Sequence, residues 1–114
     1  MPRETGLPPG TLMMLVLRVL KTQPLHGYAI AQRIRLLSAE ELSVEEGSLY
    51  PALYRLEKKG LVDASWGLSD NQRRAKFYRL TAEGRRQLRK NADVWSSFAH
   101  AVARVLSAKE QPVS

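Results

Sequence analysis

The stretch from Glu46 to Leu56, EGSLYPALYRL, decides the fold. Its Leu49, Ala52, Leu53 and Leu56 recur at helical spacing and make one apolar face. On a helical wheel Gly47, Pro51, Tyr54 and Lys58 lie opposite that face, with Ser48 and Arg55 flanking them on one side and Tyr50 on the other. Ser43 and Glu46 stand at the spacing of a capping box ahead of the helix, and Gly60 stands where a C-terminal cap belongs. Pro51 is tolerated if regular helix begins at Gly47 or Ser48, because its missing N–H then falls in the first turn.

Immediately downstream, Leu61 to Trp66 and Ala75 to Leu80 read as two short strands joined by GLSDNQRR. Val62, Ala64 and Trp66 alternate, as do Tyr78 and Leu80, so the pair is a hairpin with one packed face. Its tip and return strand carry Asn71, Gln72, Arg73, Arg74 and Lys76. Thr81 is positioned to cap a long final helix from about Ala82 to Ser107. Upstream, a first helix runs from Pro9 or Gly10 to about Thr22, with Leu12, Leu15, Val16, Val19 and Leu20 as its buried stripe. Met13, Met14 and Leu17 make much of the rest of that helix apolar, which calls for cover on a second side. A second helix spans His26 or Gly27 to about Leu37, with Ile30, Ile34 and Leu37 inward.

Three helices, a hairpin and a long helix predict a mainly α winged helix-turn-helix fold. Its expected organisation is a flexible arm over 1–8, the winged domain over 9–80, a dimerisation helix over 81–108 and a disordered tail over 109–114. The 114 residues suffice for one modest core. With no cysteine, disulfides, thiolate metal sites and a cysteine nucleophile are excluded. Neither a signal-peptide core nor an apolar run of membrane length occurs, so the expected location is the cytoplasm, without a membrane partner.

The net charge of +7 is concentrated between Arg73 and Lys90, where eight cations face only Glu83. Such an excess favours a polyanion, although Arg85 to Lys90 read equally well as a solvated helix face. The two histidines, His26 and His100, fall on different helices with no carboxylate pattern beside them, and no phosphate-binding loop occurs, so an enzyme is not expected. No cofactor is called for.

The segments HGYAIAQRI (His26 to Ile34), EGSLYPALYRLEKKGLV (Glu46 to Val62), Trp66-Gly67 and NQRRAKFYRLTAEGRRQL (Asn71 to Leu88) resemble the PadR family of bacterial transcriptional regulators, in its compact branch with a single C-terminal helix. The resemblance implies a homodimeric repressor whose third helix reads double-stranded DNA at an operator while the wing grips the flanking backbone.

The residue chemistry agrees. A helix fits the major groove with its N-terminal residues nearest the bases. Gly47, Ser48, Tyr50, Pro51, Tyr54, Arg55 and Lys58 are therefore the DNA-facing set, with Arg55 reaching a phosphate. Asn71, Gln72, Arg73, Arg74 and Lys76 form the wing set, suited to the backbone or the minor groove. His26 and Tyr28 open the second helix, where free N–H groups can receive a phosphate; packing accounts for His26 equally well, and Tyr50 can instead stack on the wing.

On the last helix Leu88, Ala92, Trp95, Ala99, Val102 and Leu106 form a heptad-like seam, and Val94, Phe98, Ala101 and Val105 a second stripe. One small domain cannot cover both, which places Leu12, Met13, Leu17, Leu88, Val94, Trp95, Phe98, Ala99, Val102 and Leu106 at a dimer interface. In some relatives a tryptophan on this helix stacks on an aromatic ligand between subunits, so Trp95 is a candidate contact for a small aromatic effector as well as a candidate filler of the dimer core. A sequence-tolerant architectural DNA binder and a winged-helix module for protein contacts remain the alternatives.

Overall fold

The structure is a computed structural model and describes Leu7 and residues 10–110. Most of the expected N-terminal arm, and the tail from residue 111 on, lie outside the described residues. The elements run α1 (Thr11–Val19), β1 (Leu25–His26), α2 (Gly27–Leu37), α3 (Glu46–Lys58), β2 (Val62–Leu68), β3 (Arg74–Leu80) and α4 (Ala82–Ser107). Helices α1 to α3 pack around a core of Val16, Leu17, Leu20, Ile30, Ile34, Leu49, Leu53 and Leu56, closed by Val62, Tyr78 and Leu80 from the sheet and Leu88 from α4. This is the winged helix-turn-helix arrangement expected from the sequence.

The wing is antiparallel, with β3 between β1 and β2. β1 was not expected. Two residues are too short to show a period, yet Leu25 pairs with Tyr78 and His26 with Phe77. The expected return strand begins one residue earlier, at Arg74, and the outgoing strand extends to Leu68. What connects them is a tight turn: the Gln72 N–H donates to the Ser69 carbonyl at 2.9 Å and the Ser69 N–H to that of Arg73 at 2.8 Å. Gln72 sits in the left-handed region with φ 62°, the position glycine usually takes in such a loop.

α3 starts at Glu46 rather than at Gly47 or Ser48. Glu45 is its N-cap, and no side chain caps it, so the Ser43–Glu46 capping box does not form. Pro51 consequently falls in the second turn and leaves the Gly47 carbonyl without its intrahelical donor. Both residues are exposed, so water can serve that carbonyl. The C-terminus does form the expected glycine cap. Gly60 has φ 74°, the Leu61 N–H reaches the Leu56 carbonyl at 3.0 Å, and the Gly60 N–H reaches that of Glu57 at 3.0 Å, a Schellman motif.

That cap is stitched to the start of α4. The Thr81 hydroxyl donates to the Gly60 carbonyl at 2.8 Å and accepts from the Gly84 N–H at 3.0 Å, so Thr81 caps α4 as its sequence position implies. Gly84 lies so close to the Leu61 carbonyl that a Cβ built on it would stand 2.1 Å from the oxygen. A side chain cannot fit there without moving one element off the other.

Two expectations about burial and one about a helix end are corrected. Leu37 is 55% exposed, because it falls on the last helical residue of α2, beyond the packed turn around Ile34. Trp66 has the expected sheet face but is 60% exposed, since the core ends at Ala64 and Tyr78 and the hairpin projects past it. α1 closes at Val19 with Leu20 as its C-cap, short of Thr22.

Candidate nucleic-acid interface

The outer face of α3 is the expected one. Leu49, Ala52, Leu53 and Leu56 are buried, while Gly47, Ser48, Tyr50, Pro51, Tyr54, Arg55 and Lys58 are all exposed. The Lys58 ammonium lies 5.5 Å from the Tyr54 ring centre, which places charge and aromatic surface side by side along the helix. Tyr50 is held at its other edge. Its ring lies against Gly27 at the start of α2, where an added Cβ would meet the Tyr50 hydroxyl at 2.7 Å. Gly27 thus lets α2 and α3 approach closely enough for Tyr50 to span their junction.

Tyr50 also lines an open cleft of about 720 Å³ between the helices and the wing. Tyr28 and Gln32 from α2 form one wall, and Trp66, Arg74 and Lys76 from the wing form the other. The cleft therefore gathers one member of the α3 set, the α2 pair His26 and Tyr28, and part of the wing set. Asn71 reaches it from the tip. Gln72 and Arg73 are exposed on the tip.

Lys76 and His26 are engaged in polar contacts within the chain. Lys76 donates to Glu57 of α3 at 3.2 Å, both half-buried, and lies 5.7 Å from the Tyr78 ring centre. Its charge is committed to the joint between wing and α3 rather than held out at the tip. His26 caps α2: its Nδ1 accepts the Ala29 N–H at 3.2 Å. Its ring also meets Phe77 edge-on at 5.3 Å. The packing explanation for His26 is thus realised in the fold. Tyr78 beneath the cleft is buried, and that burial pushes its phenol above the usual value; Lys76 opposes the shift, while Glu57 and Tyr50 add to it. The hydroxyl stays protonated at neutral pH.

Trp66 lies on the sheet face that strand alternation gives it, but beyond the edge of the core. The β2–β3 register pairs Trp66 with Lys76 and Leu68 with Arg74, so all four share the sheet face that looks into the cleft. The Arg74 guanidinium carbon stands 4.7 Å from the indole centre.

The model of the PadR-like family of transcriptional regulators matches residues 16–90. The chain belongs to the PadR family. Among similar proteins, this PadR-family chain is 33% identical over 88 residues to the "uncharacterized protein X" of Lysinibacillus sphaericus, covering 76% of its own length and 80% of that protein. It is 35% identical to a PadR family transcriptional regulator of Eggerthella lenta, with a TM-score of 0.73 over 88% of this chain and 85% of that one. A PadR family regulator of Clostridium difficile R20291 is 28% identical, with a TM-score of 0.73 over 86% of this chain and all (100%) of that one. This PadR-family chain is accordingly a transcriptional regulator and not an enzyme, and regulators of this kind act on DNA.

The far half of α4 is the second candidate surface. Leu88 packs on the core, but from Ala92 on the helix leaves its own domain: Val94 is 64% exposed, Trp95 48%, Phe98 66% and Leu106 80%. Ala99 is partly covered, as are Leu12 and Met13 on α1. Two of the expected interface residues are corrected. Leu17 and Leu88 are 1% and 7% exposed, enclosed by their own chain and closed to a second one. Among the described residues no helix is long and apolar enough to cross a membrane.

Proposed function

We propose that the chain is a homodimeric repressor that binds a pseudo-palindromic operator. In this reading α3 of each subunit enters the major groove with Gly47, Ser48, Tyr50, Pro51, Tyr54, Arg55 and Lys58. The wing tip, through Asn71, Gln72, Arg73 and Arg74, lies on the flanking backbone. Tyr28 supplies a hydroxyl from α2, and Lys76 acts mainly by holding the wing against α3. The regulator works in the cytoplasm.

The observation that carries the reading is the uncovered α4 face. Val94, Trp95, Phe98, Val102, Val105 and Leu106 follow one another at helical spacing and are all exposed, the kind of contiguous apolar patch that marks an interaction surface. A second copy of α4 covers it and brings two reading heads to one site, which gives a role to the part of α4 beyond Leu88 that its own core does not cover. Trp95, at the middle of that face, remains the candidate contact for a small aromatic effector between subunits. Repression by blocking polymerase access is the simplest action for two reading heads and a joining helix.

The test is sedimentation of the purified protein, followed by anisotropy titration on DNA from upstream of its own gene beside a scrambled duplex. Two chains per site and a strong preference for the native segment support the proposal. A dimer that binds both duplexes equally is an architectural binder. A dimer that binds neither at low salt points instead to a protein partner for the α3 face.

A further inference from the structure

Two of the cleft's three cationic or imidazole side chains are engaged within the chain. Lys76 is paired with Glu57 at 3.2 Å, and His26 gives its Nδ1 to the α2 cap. Arg74 differs: among the described residues it forms no salt bridge, although Asp70 also lines the cleft. What holds it is Trp66. The guanidinium lies over the indole at 4.7 Å, a cation–π contact between residues diagonal to each other across the β2–β3 ladder. The indole does little for the core. It is 60% exposed, and Leu68 beyond it is 64% exposed. An exposed tryptophan this far out on a hairpin needs a reason other than folding.

From this arrangement we infer that Trp66 is a positioning residue, whose indole holds the Arg74 guanidinium flat and directs it across the cleft at a DNA phosphate. The inference rests on the wing-to-backbone reading above. An arginine on a hairpin tip loses rotamer freedom when it grips a phosphate, and pre-ordering on an aromatic plane removes part of that cost before binding. With the indole beneath the guanidinium carbon, N–H groups at the rim can form the two parallel bonds that phosphate oxygens accept. The opposite wall supplies a matching donor. The Tyr28 hydroxyl accepts from Gln32 Nε2 at 2.9 Å, so its own proton points elsewhere and is available to the same strand. The cleft then holds one sugar-phosphate strand between Arg74 on its indole support and the Tyr28 hydroxyl. Asp70 at the tip repels that strand and so favours a path along the inner wall.

The experiment compares full-length Trp66→Leu, Trp66→Phe, Arg74→Ala and the Trp66→Leu/Arg74→Ala double variant. Each is titrated on upstream DNA and on a random duplex at about 50 and about 200 mM salt, the range over which phosphate contacts register. Circular dichroism melting checks that each variant is folded, which the exposure of both side chains favours. Arg74→Ala weakens both duplexes several-fold and lowers the log K against log salt slope by about 0.9, one phosphate contact. Trp66→Leu reproduces most of that loss with Arg74 still present, Trp66→Phe recovers it by restoring an aromatic plane, and the double variant is no worse than Arg74→Ala alone. If Trp66→Leu binds as wild type while Arg74→Ala is impaired, Trp66 does not position the arginine and the inference fails alone. It fails equally if Trp66→Leu weakens binding as much in the Arg74→Ala background as in wild type. If Arg74→Ala itself changes nothing, the wing reading falls and this inference with it.

Discussion

Replacing Gly84 by alanine sets two physical effects against each other. Gly84 is the third residue of α4, and helix propensity alone assigns alanine a gain of up to about 1 kcal/mol over glycine. The close approach of Leu61 opposes it. The new Cβ would lie 2.1 Å from the Leu61 carbonyl oxygen and 2.7 Å from Leu80 Cδ1, whereas even an attractive C–H···O contact keeps carbon and oxygen about 3.3–3.6 Å apart. The first turn of α4 must therefore retreat by about 1 Å from a backbone group that cannot rotate away. That movement pulls on the Thr81 N–H to Leu61 carbonyl bond of 3.2 Å and on the 2.8 Å bond from the Thr81 hydroxyl to Gly60. Each is worth about 1 kcal/mol. Crowding Leu80 in a filled core adds about 1–3 kcal/mol.

The net expectation is a loss of about 2–4 kcal/mol, a large part of the stability of a small domain. At about 4 °C per kcal/mol, Tm falls by about 8–16 °C. The assay is thermal unfolding followed by circular dichroism at one protein concentration, since self-association makes Tm concentration-dependent. Gly47→Ala is the control. It is also a first-turn glycine, but an added Cβ there meets nothing within 4 Å, so it leaves Tm unchanged or slightly higher. A Gly84→Ala protein as stable as wild type would refute the argument, because propensity would then have outweighed the contact with Leu61.

Four further outcomes are expected. Gln72→Gly relieves a left-handed residue at the wing turn and raises stability by about 0.5–1 kcal/mol; a lower Tm would count against strain at φ 62°. Glu57→Gln releases Lys76 at a cost under about 1 kcal/mol for a half-exposed pair, and steepens the salt dependence of DNA binding as the lysine becomes available. Phe98→Asp abolishes the dimer in sedimentation: burying the exposed 66% of that side chain, out of about 200 Å² for an aromatic, contributes about 3 kcal/mol per chain. Gly27→Ala forces the Tyr50 ring off the α2 junction and weakens operator binding in anisotropy titrations, while Tm moves by only a few degrees because the ring can swing outward.

The faces of the elements were legible from the sequence, but the extent of the core was not. Helical spacing placed Leu49, Ala52, Leu53 and Leu56 inward correctly, because period depends only on neighbours along the chain. Trp66 and Leu37 had the right period but lay one step beyond where the packed layer stops, which depends on the lengths of other elements. Leu17 failed in the opposite direction: α1 is covered on two sides by its own domain, so a residue assigned to a partner lies in the core. Local chemistry had the same split. Thr81 and Gly60 cap as their positions imply, since each needs only its own turn. The Ser43–Glu46 box fails because it needs the helix to begin at Val44, whereas α3 begins two residues later at Glu46 with Glu45 as its N-cap. The Lys76–Glu57 pair joins residues 19 apart, and no short-range pattern announces it.

The direct passage from the wing into the last helix has a consequence for operator architecture. β3 ends at Leu80 and α4 begins at Ala82, with Thr81 tying the joint to Gly60, so no flexible spacer separates the reading head from the far end of the helix. In a dimer joined through these helices, the two heads are mounted like teeth on a single rigid yoke. One inserted base pair between half-sites would turn one recognition surface about 35° around the duplex axis, and the protein has no slack linker with which to follow. Such a regulator discriminates among promoters by phase as well as by base identity. Two sites with the same half-site letters and different spacing would then belong to different regulatory circuits.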